Sequence, residues 1–214
     1  MEFPNPRETP DDGLVGIGGN LQWHNLVTAY RLGIFPWPMD GYPLPWFCPR
    51  ERAVLRFDEL HVARSLSRAA RRSTFELTID RDFDGVIRSC AAAKRPEGPG
   101  TWITAEMRKA YNDLHKRGYA HSAETWREGR LVGGLYGVAV DGVYSGESMF
   151  HHVSNASKLA LLHLIEHLRS RGAEWIDVQM MTPHIRALGG SLMPRDAYLD
   201  LLAATQKRNL QLFV

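Results

Sequence analysis

Hydrophobic and polar residues follow different patterns before and after about residue 53. In the first part, one amphipathic stretch from Trp23 to Leu32, stopped by Gly33, predicts a helix among loops rich in Pro, Gly and Trp. In the second part, helical and strand-like periods alternate. They predict helices at 61–72, 82–93, 104–117, 156–170 and from Pro194 onward, and strands at 74–79, 119–126, 130–140, 142–147 and 174–179, with a turn-rich segment at 94–100.

This alternation predicts a mixed α/β (α+β) fold with two domains. A small, loop-rich N-terminal domain is expected at 1–53 and a larger domain at 54–214. The chain has 214 residues, of which 44% are hydrophobic and 23% are charged. That is enough for one sizeable core together with a small satellite domain.

Composition also restricts the cellular setting. Cys48 and Cys90 are the two cysteines, and the chain begins without a charged-then-apolar leader, which favours free thiols in a reducing cytoplasm. Apolar runs stay well short of the roughly 20 residues that a membrane span needs. We therefore expect a soluble cytoplasmic protein with no membrane partner, and a monomer.

Site chemistry is concentrated in the segment Ser145-Gly-Glu-Ser-Met-Phe150. It places Glu147 beside apolar Met149 and Phe150, where a strand-like run is followed by the helix predicted at 156–170. A sheet edge that faces a helix start is a common ligand site. The alternative is a loop with a helix cap, in which Glu147 forms a surface ion pair with Lys158.

A net charge of +2 does not by itself indicate a nucleic-acid binder, so the positions of the basic residues decide. The sequence carries no acid between Glu59 and Glu76, and helical spacing places four arginines of this stretch on one face: Arg64, Arg68, Arg71 and Arg72. Such a stripe suits phosphate groups. The alternative is a solvated helix face, although solvated faces usually interleave acids with bases.

Six motifs occur in one order along the chain. They are GIFPW at 33–37, GTWIT at 100–104, LVGGLYGVA at 131–139, GESMF at 146–150, NASK at 155–158 and IDVQ at 176–179. Together they resemble the leucyl/phenylalanyl-tRNA-protein transferase family, and the match runs from about Phe3 to the C-terminal helix.

The resemblance implies a fold, a reaction and partners. The larger domain is expected to have a GCN5-related acetyltransferase-like fold, and the small domain to contribute to the site for the tRNA 3′ end. The implied reaction moves Leu or Phe, and less well Met, from aminoacyl-tRNA to the N-terminal Arg or Lys of a protein. In the bacterial cytoplasm this step marks the protein for N-degron degradation.

The motif at 176–179 supplies the expected catalytic residues, Asp177 and Gln179. At positions i and i+2 of a strand, both side chains are expected on one face, where the Gln179 carbonyl accepts a proton from the attacking amine and Asp177 polarises the Gln179 amide. An aminoacyl ester is already activated, so covalent catalysis is unnecessary. The alternative is a buried pair that satisfies backbone groups at the end of the sheet.

The resemblance also assigns donor-binding residues. Trp37 and Trp102, both in loop-like stretches, are expected to stack on the terminal adenine, with core packing as the alternative. Glu147 is expected to bind the α-ammonium group of the donor amino acid. The apolar side-chain pocket is expected to be lined by Leu135, Tyr144 and Met149.

Neither a metal nor a cofactor is expected. The nine histidines and two cysteines show no zinc-binding spacing, and Gly16-Ile-Gly-Gly19 lacks the Lys-Ser/Thr of a phosphate loop. Two other functions stay open from the residues alone. One is an acyl-CoA-dependent N-acyltransferase of the same fold, although no Gly-rich pyrophosphate loop precedes 156–170, and the other is a non-catalytic tRNA-binding module.

Overall fold

The computed structural model describes residues 1–39, 41–93 and 102–213. The turn-rich segment predicted at 94–100 lies outside the described residues. Helices are α1 (Trp23–Arg31), α2 (Arg64–Arg72), α3 (Phe83–Ala92), α4 (Ala105–Lys116), α5 (Ala156–Ser170), α6 (Pro183–Ala187) and α7 (Arg195–Gln206), with a short 3-10 helix at Pro6–Glu8. Strands are β1 (Leu14–Ile17), β2 (Phe35–Pro36), β3 (Pro45–Phe47), β4 (Glu51–Arg56), β5 (Glu76–Ile79), β6 (Ala120–Arg127), β7 (Arg130–Val140), β8 (Val143–His151), β9 (Trp175–Gln179) and β10 (Ser191–Pro194).

Seven strands form the larger sheet, in the order β10-β4-β9-β8-β7-β6-β5. Neighbouring strands are antiparallel except β8 and β9, which are parallel and pair at Ser145 and Asp177. Parallel neighbours need a crossover connection, and α5 provides it. Because Glu147 and Gln179 each follow the paired residues by two positions, the topology places them next to each other.

A smaller sheet, in the order β1-β3-β2, belongs to the N-terminal part. The residue pattern predicts α1 as the sole regular element there, and this prediction is wrong. The three strands have two to four residues each and contain Gly or Pro, so they show no alternation that a pattern could reveal. Leu26 and Trp46 of this part share one hydrophobic cluster with Val54 and Tyr136 of the larger sheet.

The predicted mixed α/β class is confirmed, and most predicted elements lie within a few residues of the observed ones. Beyond the three strands of the smaller sheet, the pattern also missed β4, α6 and β10. Strand β8 is longer than the predicted 142–147, so Glu147 lies inside a strand and not at its junction with a helix. Residue 53 falls within β4, and the two-domain division at that point stays a prediction.

Among the described residues, no helix combines the length and the apolar character that a bilayer crossing requires.

Candidate active site

A partly buried carboxylate, that of Glu147, lies at the centre of the candidate site. On the neighbouring strand, Gln179 donates its side-chain Nε2 to Glu147 Oε1 at 2.7 Å. Two helices outside the sheet each add a phenol: Tyr30 of α1 donates to Oε1 at 2.7 Å, and Tyr111 of α4 donates to Oε2 at 3.2 Å. All three partners are neutral, so the alternative of an ion pair between Glu147 and Lys158 is wrong.

Burial raises the pKa of Glu147 to about 7, although the hydrogen bonds from Tyr30, Gln179 and Tyr111 act in the opposite direction. The group is therefore close to half ionised at neutral pH. Each carboxylate oxygen has two acceptor positions. Oε1 uses both. Oε2 accepts only the longer contact from Tyr111, whose hydroxyl also lies 2.5 Å from that of Tyr30, so at least one position on Oε2 remains for a cation of a ligand.

The second carboxylate, Asp177, is fully buried and paired with Arg52 of β4. Arg52 donates Nε to Oδ1 at 2.8 Å and a terminal nitrogen to Oδ2 at 2.7 Å, which is the bidentate geometry of a strong ion pair. Tyr198 and Ser145 also donate to Oδ2, at 3.0 and 3.1 Å. Burial opposes the charge of the guanidinium, but the Asp177 carboxylate more than offsets this and raises the pKa of Arg52.

The backbone turns sharply at Gln179. Its φ is 59°, and Met180 donates its main-chain N–H to the Val178 carbonyl at 2.6 Å, which makes Gln179 the centre of a γ-turn. Positive φ is unfavourable for a residue with a Cβ, and such turns are found where the surroundings hold them. Asp177 provides that support, because its Oδ1 accepts the main-chain N–H of Gln179 at 2.9 Å.

This turn corrects one expectation from the sequence. Asp177 does not bond to the side-chain amide of Gln179; it bonds to the main-chain N–H. The rule that residues i and i+2 share a face holds for extended backbone, and the positive φ at Gln179 breaks it. The amide therefore meets Glu147, and Asp177 acts on Gln179 through the backbone.

A cavity of about 310 Å³ opens beside Glu147. It is lined by the three residues predicted for the side-chain pocket, Leu135, Tyr144 and Met149, together with apolar Leu161, Ile176 and Val178. Met180 and Thr182 also line the cavity, and Met180 is 46% exposed, so these residues lie on its solvent side. The size and lining suit a single apolar side chain with a charged group at one edge.

Trp37 and Trp102 do lie together in loops, but they stack on each other. Their ring centroids are 5.1 Å apart and their planes differ by 17°. A base inserted between them would need two stacking distances, roughly 6.8 Å in all. In this conformation an adenine can stack on the outer face of one ring. For the adenine to bind between the two rings, they would have to move apart.

The predicted arginine stripe lies on α2. Arg64, Arg68, Arg71 and Arg72 are exposed, and the ion pairs found among the described residues include none of them. Helix geometry places the four within an arc of about 100°, opposite the buried Leu66. These charges are therefore uncompensated and face solvent.

Reasoning from sequence missed the supporting residues Arg52, Tyr30, Tyr111 and Tyr198. Each lies far along the chain from the carboxylate that it contacts, so no local pattern could have paired them. Arg52 follows Pro49-Arg50-Glu51 and looks like part of a solvated loop, although it is only 1% exposed.

One group of potential metal ligands occurs among the described residues: Asp80, His115 and His121. Hydrogen bonds already engage it. The His121 Nδ1 lies 2.6 Å from Asp80 Oδ2, and the His115 Nδ1 lies 2.8 Å from the Ala120 carbonyl oxygen. The candidate site does not involve this group.

Comparison with known proteins supplies an independent finding. Residues 54–203 match the model of the family "Leucyl/phenylalanyl-tRNA protein transferase", and residues 19–50 match that of its N-terminal domain. The leucyl/phenylalanyl-tRNA–protein transferase of Pseudomonas fluorescens (strain Pf0-1) is 49% identical over 205 residues, covering 95% of this chain and 90% of that relative. That of Desulfatibacillum aliphaticivorans is 45% identical over 203 residues, covering 95% and 87%.

Among solved structures, L-PGS from Bacillus licheniformis is a remote likeness. It has a TM-score of 0.42 and 15% sequence identity, over 76% of this chain and 52% of that one.

Proposed function

The chain belongs to the leucyl/phenylalanyl-tRNA protein transferase family and is an aminoacyltransferase; from this premise we propose that it moves Leu or Phe, and less well Met, from aminoacyl-tRNA to the N-terminal Arg or Lys of a protein. One observation carries the proposal. A Glu147 carboxylate with one free acceptor position, hydrogen-bonded to Gln179 at 2.7 Å, lies at the edge of an apolar cavity of about 310 Å³.

Donor binding uses the cavity and the carboxylate together. A Leu or Phe side chain gains roughly 1.5 to 3 kcal/mol by leaving water for an apolar pocket. The α-ammonium group of the same amino acid takes the free position on Glu147 Oε2. A small or polar side chain loses the first contribution, whereas Met keeps most of it, so the selection is for large apolar side chains.

The reaction exchanges an ester for an amide. The acceptor amine attacks the ester carbonyl carbon, a C–N bond forms, and the bond from that carbon to the ribose oxygen breaks. The proton lost by the amine ends on the ribose oxygen. Because Gln179 Nε2 is committed to Glu147, its Oε1 is the atom free to accept an N–H of the attacking amine.

Asp177 and Arg52 are positioning residues in this mechanism. They hold the backbone of Gln179 in its strained turn, with Asp177 Oδ1 on the main-chain N–H. Neither needs to contact the donor or the acceptor. Positioning suffices because the ester is already activated and the acceptor α-amine, with a reference pKa of about 7.7 to 8.0, is partly neutral near pH 7.

The tRNA body and its 3′ end have separate binding surfaces in the proposal. Phosphates contact the stripe of Arg64, Arg68, Arg71 and Arg72 on α2, and the terminal adenine stacks on Trp37 or Trp102. The preference for N-terminal Arg or Lys, the role in N-degron degradation, the monomeric state and the cytoplasmic location also belong to the proposal, and the family resemblance supports them.

The direct test is incubation with radiolabelled Leu-tRNA and a peptide that begins with Arg. We expect label in the peptide and a mass gain of one leucine residue. An identical peptide with a blocked N-terminus is the control for the site of attachment. Modification that requires acyl-CoA in place of tRNA, or tRNA binding without any transfer, would contradict the proposal.

A further inference from the structure

The wall of the side-chain cavity includes the ring of Tyr144, which lies across three strands. Tyr144 belongs to β8, and its hydroxyl donates to the His121 carbonyl of β6 at 3.1 Å. On β7, the strand between them, Gly137 pairs with His121. A Cβ at Gly137 would lie 2.6 Å from Cζ of Tyr144, so the ring packs directly on the main chain of this glycine.

Phe213, in the segment that follows α7, contacts the same ring. The centroids of the Phe213 and Tyr144 rings are 5.9 Å apart and their planes differ by 42°, which is within the range of favourable aromatic pairs. Tyr144 lines the cavity, whereas Phe213 does not. Phe213 therefore supports the cavity wall from outside the cavity.

Two histidines hold Phe213 in place. His121 stacks on it with ring centroids 3.7 Å apart and planes that differ by 4°. His167 of α5 also stacks on it, at 4.9 Å and 27°. The His167 Nε2 lies 2.8 Å from the Leu212 carbonyl oxygen, which fixes the main chain beside Phe213. Two stacked partners and one hydrogen bond thus define the position of the Phe213 ring.

The His121 ring is itself firmly held. Its Nδ1 lies 2.6 Å from Asp80 Oδ2, its Nε2 lies 3.1 Å from the Gly118 carbonyl oxygen, and the residue is only 6% exposed. The ring cannot turn without breaking both contacts. His121 therefore gives Phe213 a rigid surface to pack on, and its main chain accepts the Tyr144 hydroxyl at the same place.

The cavity wall and the segment after α7 share one hydrophobic cluster. Tyr144 and Ile176 of the cavity lining belong to it together with Leu212, and Phe213 packs against it. Protein interiors are close-packed, so a side chain that loses its neighbour on one side gains room to move in that direction. Removal of the Phe213 ring would give Tyr144 such room.

We propose that Phe213 is a specificity-determining residue that acts through Tyr144: it holds the Tyr144 ring in place and so limits the size of the donor side chain that the cavity accepts. The inference rests on the proposed function, in which this cavity takes the Leu or Phe side chain, and deepens it. Two contacts restrain the ring, the hydroxyl bond to His121 and the packing of Phe213. Without Phe213, the ring can tilt into the vacated space when a larger side chain enters.

The test is the ratio of kcat/KM for Trp-tRNA to kcat/KM for Leu-tRNA. Phe213→Ala should raise this ratio roughly tenfold, since a change of about one methylene in a hydrophobic pocket alters discrimination by at least that factor. Phe213→Leu keeps part of the apolar volume beside Tyr144 and should raise the ratio less. Because each variant is compared with itself on two donors, a general loss of activity cancels from the ratio.

Phe3→Ala is the matched control. Phe3 is also a partly buried phenylalanine near one end of the chain, and it packs on a single large ring, that of Trp46, with centroids 5.0 Å apart. It does not line the cavity. The Phe3→Ala variant loses a similar packing contact and should leave the ratio unchanged.

Tyr144→Phe removes the other restraint while it keeps the ring in the cavity wall. Combined with Phe213→Ala, it should raise the ratio by more than the product of the two single effects, because either contact alone still holds the ring. A combined effect equal to that product would show that Phe213 does not act through Tyr144.

The outcomes separate the inference from the function beneath it. An unchanged ratio in Phe213→Ala and Phe213→Leu, or an equal rise in Phe3→Ala, overturns the role of Phe213, while continued transfer of leucine leaves the proposed function standing. No transfer from Leu-tRNA by the unmodified protein overturns the proposed function and this inference with it.

Discussion

Glu147 is the residue whose ionisation the structure ties most directly to donor binding. Burial raises its pKa to about 7, so the carboxyl is mostly neutral below that pH and mostly ionised above it. The ionised form binds the donor ammonium. The same shift makes ionisation unfavourable for folding: the contribution of this group to stability is largest at acidic pH and declines as the pH rises through about 7.

We therefore predict that kcat/KM for Leu-tRNA rises with pH through about 7, because the ammonium site forms as Glu147 ionises. Glu147→Gln should lose the rise near pH 7 and keep the later rise that comes from deprotonation of the acceptor α-amine, whose reference pKa is about 7.7 to 8.0. The variant should also raise KM for the donor roughly tenfold or more, the value of a hydrogen bond to a charged group. The measurement is a pH profile of kcat/KM at saturating acceptor peptide.

Glu124→Gln is the matched control, since Glu124 is also a buried carboxyl with neutral donors, Thr78 and Ser122, and lies outside the cavity lining. The Glu124→Gln variant should keep the rise of kcat/KM for Leu-tRNA near pH 7. If the rise near pH 7 persists unchanged in Glu147→Gln, it reports the ionisation of another group.

The side-chain pocket gives a second prediction at this scale. Tyr144 is an unsuitable target, because it is 1% exposed, donates to the His121 carbonyl, and leaves a void worth about 3 to 5 kcal/mol when truncated. Met149 lines the same cavity and is only partly buried. Met149→Ala should raise kcat/KM for Trp-tRNA relative to Leu-tRNA, since a larger cavity accommodates a larger amino-acid side chain.

The measurement is the ratio of kcat/KM for Trp-tRNA to kcat/KM for Leu-tRNA. The control is Met193→Ala, which changes a methionine outside the cavity lining and should leave this ratio unchanged. Proportional loss toward both donors in Met149→Ala would place Met149 in the scaffold instead of the pocket.

At the scale of elements, the ion pair between β4 and β9 fixes the site. Arg52→Met or Asp177→Leu alone leaves a buried charge unpaired, and each should destabilise the fold by about 3 to 5 kcal/mol. The double variant should recover much of that stability, because two apolar side chains can replace a buried pair. It should not recover transfer, because the N–H of Gln179 has lost its acceptor.

Chemical denaturation and transfer rate, measured on both single variants and on the double variant, test this prediction. If the double variant transfers leucine as fast as the unmodified protein, Asp177 has no positioning role.

Helix α2 carries the prediction for the tRNA body. Four phosphate contacts correspond to a log–log salt slope of tRNA affinity between about −2.8 and −3.6. Arg64→Glu with Arg68→Glu should weaken binding of Leu-tRNA and of uncharged tRNA alike, and reduce the steepness of that slope by about 1.4 to 1.8. Filter binding over a salt series measures both quantities.

The control is Arg81→Glu with Arg88→Glu, which changes the same charge at exposed arginines that have acidic neighbours. An unaltered slope in the α2 variant would show that this helix faces only solvent.

Elements with a strong period could be predicted from the sequence, and others could not. Helices α2 and α5 and strand β9 carry their own pattern over five or more residues. Strand β4 does not, because Glu51, Arg52 and Arg56 interrupt it and the burial of Arg52 depends on Asp177, 125 residues away. The turn at Gln179 was missed for a similar reason: a positive φ is imposed by neighbours and leaves no signal in the residue itself.

At the scale of the whole molecule, residues from both sides of the predicted domain boundary contribute to the site. Tyr30 and Trp37 come from residues 1–53, whereas Tyr111, Glu147 and Gln179 come from the rest of the chain. The sequence could supply the motif residues one by one, and the three residues expected for the side-chain pocket line one cavity together. It could not supply the phenols around Glu147, since tertiary packing alone brings α1 and α4 to the sheet.

The central claim is that Gln179, held by Glu147 and by the strained turn, accepts an N–H hydrogen bond from the attacking amine and so orients the amine toward the ester carbonyl. The most direct test is the single-turnover rate of leucine transfer from saturating Leu-tRNA to an Arg-initiated peptide, compared between the unmodified protein and Gln179→Ala. We predict a rate lower by roughly 10² or more in the variant, because the amine loses the contact that orients it, with the tRNA dissociation constant within a few fold. Transfer at the unmodified rate would contradict the account.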